Sequence, residues 1–199
     1  GVQTCALPIS DTEILVEEVI KYIKKKGYTK ICDVCSGSGA IGISIAEFIK
    51  DVRVTLYDIS EDALAVAKLN IERFNLSIRI NDEYSDLLQV AIEQHKKFEV
   101  IVCNPPYIKE DVISTLMDDV KEYEPFIALC GGKDGLNFYR RITKESLQVL
   151  EKGGLLAFEI GYDQREEVED ILLKSGFKGI ECIKDLSGND RVIKATLVD

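Results

Sequence analysis

The residues with the clearest chemical potential are Asn104, Pro105, Pro106 and Tyr107, which follow the apolar run "FEVIVC". Proline cannot donate a backbone hydrogen bond or continue a central strand, so the two prolines force the chain out of a sheet. The exit leaves the Asn104 amide and the Tyr107 ring at the carboxyl end of a strand, where open α/β sheets bind ligands. The same pattern also fits a rigid strand-to-loop exit with a capping Asn, so on its own it leaves both interpretations open.

These residues fit chemistry on a planar –NH2 group. Such a nitrogen is a weak nucleophile because its lone pair is conjugated, so it needs orientation rather than a strong base. The Asn104 side-chain oxygen and the Pro105 carbonyl can accept its two N–H hydrogens, while Tyr107 stacks on the group. Well-placed reactants gain ~7–11 kcal/mol from orientation, and hydrogen bonds that strengthen in the transition state add to this. We predict that Asn104, Pro105 and Tyr107 are the catalytic residues. The predicted substrate site consists of these three residues and Pro106.

A glycine-rich loop supplies a candidate site for the second reactant. In "DVCSGSGAIG", residues 33–42, Gly37 and Gly39 permit a tight turn and the close approach of a ligand. The helix that follows offers free N–H groups and partial positive charge. Asp58 ends the next strand about twenty residues later, where a carboxylate can accept from both ribose hydroxyls. The glycine loop and Asp58 together predict a nucleoside site. The alternative is that the glycines only form a turn and that Asp58 is a solvated residue at a strand end.

Two nucleoside cofactors compete for this site. The loop satisfies G-x-G-x-x-G, the fingerprint of NAD-binding proteins. Asp33 favours S-adenosylmethionine instead, because a carboxylate there can meet the ammonium of a methionine moiety and would repel a pyrophosphate. In "SDLL", Asp86 can accept from the adenine amino group and Leu87 can pack on the ring. A helix N-cap is an equally good reading of Asp86.

The elements that must position these residues alternate along the chain. Strands are predicted at 30–35, 52–58, 77–81, 98–103, 155–161, 178–185 and 191–198. Helices are predicted at 11–26, 40–50, 60–74, 86–95, 134–152 and 163–177, and 105–134 reads as a long loop with a short helix at 111–123. Alternation of this kind predicts a mostly parallel seven-stranded sheet with helices on both faces, and with the fourth strand beside the first. The short "LSGND" link predicts that the last strand is antiparallel.

Composition narrows the class of protein. The chain has 199 residues, 46% hydrophobic and 30% charged, which fits one soluble globular domain. No apolar run approaches the ~20 residues that span a bilayer. The formal net charge of −10 argues against sequence-independent binding to nucleic acid.

Cysteine usage fits a cytoplasmic protein without a disulfide scaffold or a metal. The six cysteines are scattered, and "CDVC" at 32–35 has no second pair to complete a zinc site. The only histidine is His95. In a strand, Cys32 and Cys35 would point to opposite faces.

Several motifs in order resemble the HemK/PrmC family, the release-factor glutamine N5-methyltransferases. They are "DVCSGSGAIGISIA", "YDISEDALAVAKLN", "VCNPPYI", "EPFIALCGGKDGLNFYRRI", "LLAFEIGYDQ" and "KDLSGNDRV". The resemblance covers about residues 11–199 and implies a Rossmann-like class I S-adenosylmethionine-dependent methyltransferase. It implies a glutamine of the Gly-Gly-Gln motif in peptide-chain release factors as the methylated group, and S-adenosylhomocysteine as the product.

The resemblance also assigns residues. It implies that the loop and three later residues contact S-adenosylmethionine, and that the segment from Asn104 to Tyr107 holds the glutamine. The implied cofactor contacts are Cys35, Ser36, Gly37, Ser38, Gly39, Asp58, Leu87 and Asn104, to which Asp33 and Asp86 are added from their chemistry.

The chain departs from the family pattern at four places, one of which is "LPIS" in place of the family's proline-rich entry before "DTE". Cys35 stands where the family usually has the first glycine of the loop, and Leu87 occupies a position that is aromatic in some relatives. The family's N-terminal helical domain is not part of this sequence. We therefore expect residues 1–10 to be a leader or the remnant of a missing region, and residues 11–199 to be the catalytic domain.

Three other functions remain open at this stage. A nucleic-acid amino methyltransferase, acting on adenine N6 or guanine N2, would share the fold and the Asn-Pro-Pro-Tyr motif, but the negative charge counts against it. An NAD-dependent oxidoreductase is disfavoured by Asp33 and by that motif. The intact Asn104 motif argues against a non-catalytic binding module.

Overall fold

The computed structural model describes residues 9–113 and 126–198, with side chains from residue 12 onward. Residues 1–8 of the expected leader and most of the short helix expected at 111–123 therefore lie outside the described residues, whereas Ile9 and Ser10 begin the first helix. The division into a leader and a catalytic domain stays a prediction.

The described residues form alternating strands and helices. The strands are β1 (Lys30–Val34), β2 (Arg53–Asp58), β3 (Ile80–Tyr84), β4 (Phe98–Cys103), β5 (Leu150–Glu159), β6 (Phe177–Lys184) and β7 (Asp190–Leu197). The helices are α1 (Ile9–Lys26), α2 (Ala40–Phe48), α3 (Glu61–Arg73), α4 (Gln89–Glu93), α5 (Glu110–Ile113), α6 (Phe126–Leu129), α7 (Asn137–Val149) and α8 (Arg165–Lys174).

The strands make one seven-stranded sheet in the order β3-β2-β1-β4-β5-β7-β6. The pairings from β3 across to β5 are parallel, and β7 runs antiparallel to both β5 and β6. The predicted topology is confirmed, including the antiparallel last strand and the position of β4 beside β1. Because the strand order changes direction at β1 and β4 runs parallel to it, the loops after β1 and β4 leave the sheet side by side.

Alternating residues of the central strands fill two apolar layers. In β1, Cys32 and Val34 lie in the layer that also contains Tyr139 of α7 and Val168 of α8. Ile31 lies in the opposite layer with residues of α1, α2 and α3. Both faces of the sheet are therefore covered, and each fully buried aliphatic side chain contributes about 1.5–3 kcal/mol.

The third strand was predicted three residues too early, at 77–81 instead of Ile80–Tyr84. The N–H groups of Arg79 and Ile80 both donate to the Leu76 carbonyl, which makes a turn where the strand was expected. Ile78 is 87% exposed, so its apolar side chain is not part of the sheet's buried face. The Arg79 guanidinium instead donates to the Ala46 and Ile49 carbonyls at the end of α2.

The fifth strand begins earlier than predicted, at Leu150, and α7 ends at Val149 rather than at residue 152. The two glycines predicted to close the helix lie inside β5, where its pairing with β4 shifts register between Phe98 and Val100. Gly153 has a φ of +79°, and a Cβ at Gly154 would lie 2.9 Å from the Glu99 carbonyl oxygen. The glycines therefore accommodate an irregularity in the strand instead of stopping a helix.

The "DLSGND" link joins β6 and β7 through one buried carboxylate. Asp185 accepts hydrogen bonds from the backbone N–H groups of Ser187 and Asn189 and pairs with Arg191 at 3.2 Å. Arg191 also donates to the Ile160 carbonyl, just past β5. The hairpin thus helps to fix the carboxyl end of β5. None of the helices in the described parts of the chain is long and apolar enough to cross a membrane.

Candidate active site

The candidate site lies at the carboxyl ends of β1, β2 and β4. Val34 is paired with Tyr57 of β2 on one side and with Cys103 of β4 on the other. The chain after Val34 is the glycine loop, and the chain after Cys103 begins with Asn104. Parallel pairing therefore brings the two motifs together although they are about seventy residues apart in sequence.

The glycine loop is a tight turn fixed by backbone hydrogen bonds. The Ser36 N–H donates to the Tyr57 carbonyl, and the Gly39 N–H donates to the Ser36 carbonyl at 2.8 Å. Gly37 and Gly39 have φ values of +54° and +79°, the left-handed region that glycine adopts without strain. Asn70 of α3 donates to the Ser38 carbonyl from outside the loop.

Cys35 explains why this position favours glycine. Its φ is +56°, so it adopts a left-handed conformation that costs a side-chain-bearing residue roughly 1–2 kcal/mol. The half-buried side chain packs against the apolar layer. Burial raises the pKa of Cys103 well above its ordinary value. Cys35 therefore forms the turn that glycine usually forms in the family.

Asp58 connects the end of β2 to the glycine loop. Its Oδ2 accepts from the Gly37 N–H at 2.8 Å, and its Oδ1 accepts from the Ser60 N–H at 2.9 Å. The side chain is only half-buried, and a carboxylate has about four lone-pair positions. Two positions are therefore left for a ligand hydroxyl.

Asp33 and Ser36 place buried polar atoms with unmet hydrogen-bonding capacity under the loop. Asp33 is fully buried; its Oδ2 accepts from the Gly42 N–H at 2.9 Å in the first turn of α2. Asp33 Oδ1 and Ser36 Oγ have no hydrogen-bond partner among the residues that the structure describes. Burial raises the pKa of Asp33 to about 7, with a further rise from Asp58 and a decrease from the Gly42 N–H.

Asp86 and Leu87 lie at the end of β3, beside the loop. The Ser85 N–H donates to the Asp58 carbonyl, and the Ser85 hydroxyl donates to the Leu87 carbonyl at 2.8 Å. Leu87 is 5% exposed. Asp86 is not a helix N-cap, because α4 begins at Gln89 without a side-chain cap. Its Oδ2 instead accepts from Arg141 of α7 at 2.9 Å.

Asn104 is held by two side chains from distant parts of the sequence. Its Nδ2 donates to Thr12 Oγ1 of α1 at 3.5 Å, and Thr12 donates its own hydroxyl proton to Glu159 Oε2 at 2.8 Å. Because the Thr12 proton is directed at the buried Glu159 carboxylate, the hydroxyl oxygen must act as acceptor for Asn104. The amide is thereby turned so that its oxygen points away from Thr12.

The rest of the motif is fixed by a buried amide and by a short pairing. Pro105 and Pro106 are buried and Tyr107 is half-buried. The Tyr107 carbonyl accepts from Gln164 Nε2 at 3.0 Å. The next residue, Ile108, forms a bridge with Cys130.

Sequence reasoning named every residue of the two motifs but missed the side chains that hold them. These side chains come from four elements: Thr12 lies in α1, Glu159 in β5, Gln164 in the turn before α8, and Arg141 in α7. "EIGYDQ" contains Glu159 and Gln164, but the motif by itself assigns neither of them a role. Thr12 carries no local signal, because the hydrogen bond to Glu159 spans 147 residues.

Comparison with known proteins gives a consistent result. A family profile described as "Methyltransferase small domain" matches residues 10–121. Proteins named release factor glutamine methyltransferase, from Clostridium botulinum and Clostridium acetobutylicum, are 57% and 56% identical to the chain over 189 residues. The matches cover 95% of this chain and 67% and 66% of those proteins, so the chain spans about two thirds of their length.

A solved structure shows the same similarity. The crystal structure of a release-factor-specific protein-(glutamine-N5) methyltransferase from Alicyclobacillus acidocaldarius is 30% identical, has a TM-score of 0.61 and covers 99% of both chains. Together with the sheet order, these matches confirm the prediction of a Rossmann-like class I methyltransferase fold.

Proposed function

Because the chain belongs to the release factor glutamine methyltransferase family, we propose that it methylates the side-chain amide nitrogen, N5, of a glutamine in a peptide-chain release factor. The methyl donor is S-adenosylmethionine and the product is S-adenosylhomocysteine. The glutamine is that of the Gly-Gly-Gln motif. The observation that carries this proposal is the orientation of the Asn104 amide, whose oxygen faces away from Thr12 beside the glycine loop.

The residues of the loop fit the proposed cofactor. Asp58 keeps lone pairs for ribose hydroxyls, and Asp33 Oδ1 and Ser36 Oγ are buried polar atoms that a polar ligand would satisfy. Asp86 offers an acceptor for adenine, and Leu87, which is 5% exposed, would meet the ring only with the small part of its side chain outside the core. When bound, S-adenosylmethionine supplies an electrophilic sulfonium methyl group.

The Asn104 motif fits a primary amide. Asn104 Oδ1 and the Pro105 carbonyl would accept the two N–H hydrogens of the glutamine, and Tyr107 would stack on its plane. The two acceptors hold the amide so that its nitrogen lone pair faces the glycine loop, with Pro106 fixing the course of the chain between them. The rate gain then comes from orientation, for which about 7–11 kcal/mol is available.

The proposed partner is a protein rather than a nucleic acid. A formal net charge of −10 does not favour binding to phosphates. A substrate that acts in translation places the proposed reaction in the cytoplasm.

A transfer assay with radiolabelled S-adenosylmethionine tests the proposal. We expect label in a full-length release factor, none in the same factor with its Gly-Gly-Gln glutamine replaced by alanine, and none in tRNA or DNA. Calorimetry with S-adenosylmethionine and with NAD checks the cofactor separately, and we expect heat of binding only with the former. Label that persists in the alanine-substituted factor, or that enters nucleic acid, would refute the proposed substrate.

A further inference from the structure

We propose that Gln164 is a positioning residue that holds Tyr107 in place for the substrate amide; this inference rests on the function proposed above. Gln164 lies immediately before α8 and is 4% exposed. Its side-chain hydrogen bonds within the described chain involve no residue of the glycine loop. Their partners are Tyr107, Gly135, Gly161 and Tyr139.

The side-chain amide of Gln164 is fully used. Its Nε2 donates to the Tyr107 carbonyl at 3.0 Å and to the Gly135 carbonyl at 3.3 Å. Its Oε1 accepts from the Gly161 N–H at 3.0 Å and lies 3.3 Å from the Tyr139 hydroxyl. The two donors face carbonyls and the acceptor faces an N–H group, so only a correctly turned amide satisfies this site.

The bonds of Gln164 join three segments that are far apart in sequence. They connect the exit from β4, the glycine turn before α7 and the end of β5. Tyr107 is the residue at which the Asn-Pro-Pro-Tyr segment meets the other two. Fixing its carbonyl fixes the backbone that carries the ring.

Gly135 shows how closely the three segments approach. A Cβ at Gly135 would lie 2.4 Å from the Tyr107 carbonyl oxygen and 2.6 Å from Gln164 Nε2. Gly135 also has a φ of +75°. A side chain there would therefore push apart the same two groups that Gln164 holds together.

Loss of the Gln164 hydrogen bonds should affect the placement of the substrate and not the binding of the cofactor. Displacing Tyr107 misplaces the substrate amide but leaves Asp58 and the loop hydrogen bonds intact, because none of them involves Gln164. A displacement of about 1 Å in a reacting group can cost about a hundredfold in rate. We therefore expect a loss in kcat/KM for the release factor without a loss of cofactor affinity.

Two variants with matched controls test this inference. Gln164→Glu keeps the shape and the acceptor oxygen but removes both donors, and Gln148→Glu makes the same change on the exposed face of α7. Gly135→Ala inserts the clashing Cβ, and Gly27→Ala puts a Cβ at a φ of +72° with nothing within 4 Å. For each variant we would measure kcat/KM for the release factor, the Kd for S-adenosylmethionine by calorimetry, and amide hydrogen exchange over residues 107–110.

We expect Gln164→Glu and Gly135→Ala to lower kcat/KM about ten- to a hundredfold and to speed exchange at residues 107–110, with the Kd for S-adenosylmethionine within about twofold of the wild type. The controls should match the wild type in rate and exchange. Unchanged kcat/KM in both test variants, or a cofactor affinity that falls as far as kcat/KM, would overturn the positioning role. The two proposals can fail separately. If the wild-type chain left the release factor unlabelled, the proposed function would be contradicted. The role of Gln164 would still be tested by hydrogen exchange, and unaltered exchange at residues 107–110 in both test variants would overturn it.

Discussion

The two halves of the candidate site are built differently. In the cofactor half, at the ends of β1, β2 and β3, the glycine loop is held by groups close in sequence, such as Asp58 on the Gly37 N–H, 21 residues apart. Asp86 is the exception, because Arg141 binds it across 55 residues. The substrate half, at the ends of β4 and β5, is held from far away: Asn104 from Thr12 across 92 residues and Tyr107 from Gln164 across 57. The cofactor half also keeps buried polar atoms without partners in the described chain, whereas Gln164 is fully satisfied.

This difference indicates two roles. On the proposed function, the cofactor half is shaped by its own loop and would be completed by a ligand. On the same proposal, the substrate half is completed by the protein, which would order the accepting groups before a substrate arrives. Changes in the first half should therefore alter cofactor affinity, and changes in the second half should alter the rate of transfer.

The largest expected effect is in the substrate half, at Asn104. Asn104→Ala removes the acceptor oxygen that orients the glutamine amide, so we expect transfer to fall at least about a hundredfold, to the limit of detection. The fold should remain intact, as measured by circular dichroism and thermal unfolding. Asn81→Ala, at an exposed position on β3, is the control. Near-normal transfer by Asn104→Ala would show that orientation by this amide is not the mechanism.

In the cofactor half, Asp58→Ala should weaken the binding of S-adenosylmethionine. The change removes charge-assisted hydrogen bonds to the ligand and the acceptor for the Gly37 N–H, so we expect the Kd to rise about 10- to 100-fold. Calorimetry measures this directly. Asp62→Ala, exposed in the first turn of α3, should bind like the wild type. Equal affinities in the two variants would remove Asp58 from the cofactor site.

A smaller effect is expected at Thr12, which turns the Asn104 amide without contacting the substrate. Thr12→Val removes the hydroxyl that accepts from Asn104 and donates to Glu159, and we expect kcat to fall about tenfold with the cofactor Kd unchanged. Thr12→Ser should restore most of the rate because it restores the hydroxyl. Thr196→Val, which removes a hydroxyl near the edge of the sheet, is the matched control. If the valine and serine variants at residue 12 were equally active, Thr12 would have no part in orienting Asn104.

The smallest expected effect is a pH dependence from Asp33. Its pKa of about 7 in the folded chain exceeds the ordinary value because of burial. The unfolded chain therefore releases this proton first, and the free energy of unfolding should fall as pH rises from about 4 to about 7 and level off above that. A ligand ammonium favours the ionised form, so cofactor affinity should rise about fivefold between pH ~6 and pH ~8.

Asp33→Asn is the test for this pH dependence. It keeps an acceptor for the Gly42 N–H but has no proton to lose in this range. Urea unfolding and calorimetry at several pH values should show both trends in the wild type and neither in the variant. Parallel curves for the two proteins would exclude Asp33 as the titrating group.

The same contrast between local and distant bonds explains how far the sequence was informative. The shared location of the glycine loop, Asp58 and the Asn-Pro-Pro-Tyr exit could be predicted because it depends on neighbours in sequence and on strand order. Gln164 and Thr12 could not, because their partners are brought near only by the completed sheet. Ile78 misled the prediction of β3 since its apolar side chain faces solvent, and Gly153 was taken for a helix end because a strand irregularity has no signature of its own.

The most direct measurement is a crystal structure of the chain with S-adenosylhomocysteine and a release-factor peptide that contains the Gly-Gly-Gln sequence. We predict that the glutamine amide nitrogen lies about 3 Å from both Asn104 Oδ1 and the Pro105 carbonyl oxygen, with the cofactor seated on the glycine loop. A glutamine bound elsewhere, or an Asn104 oxygen turned away from it, would contradict the central claim that these two acceptors orient the substrate nitrogen.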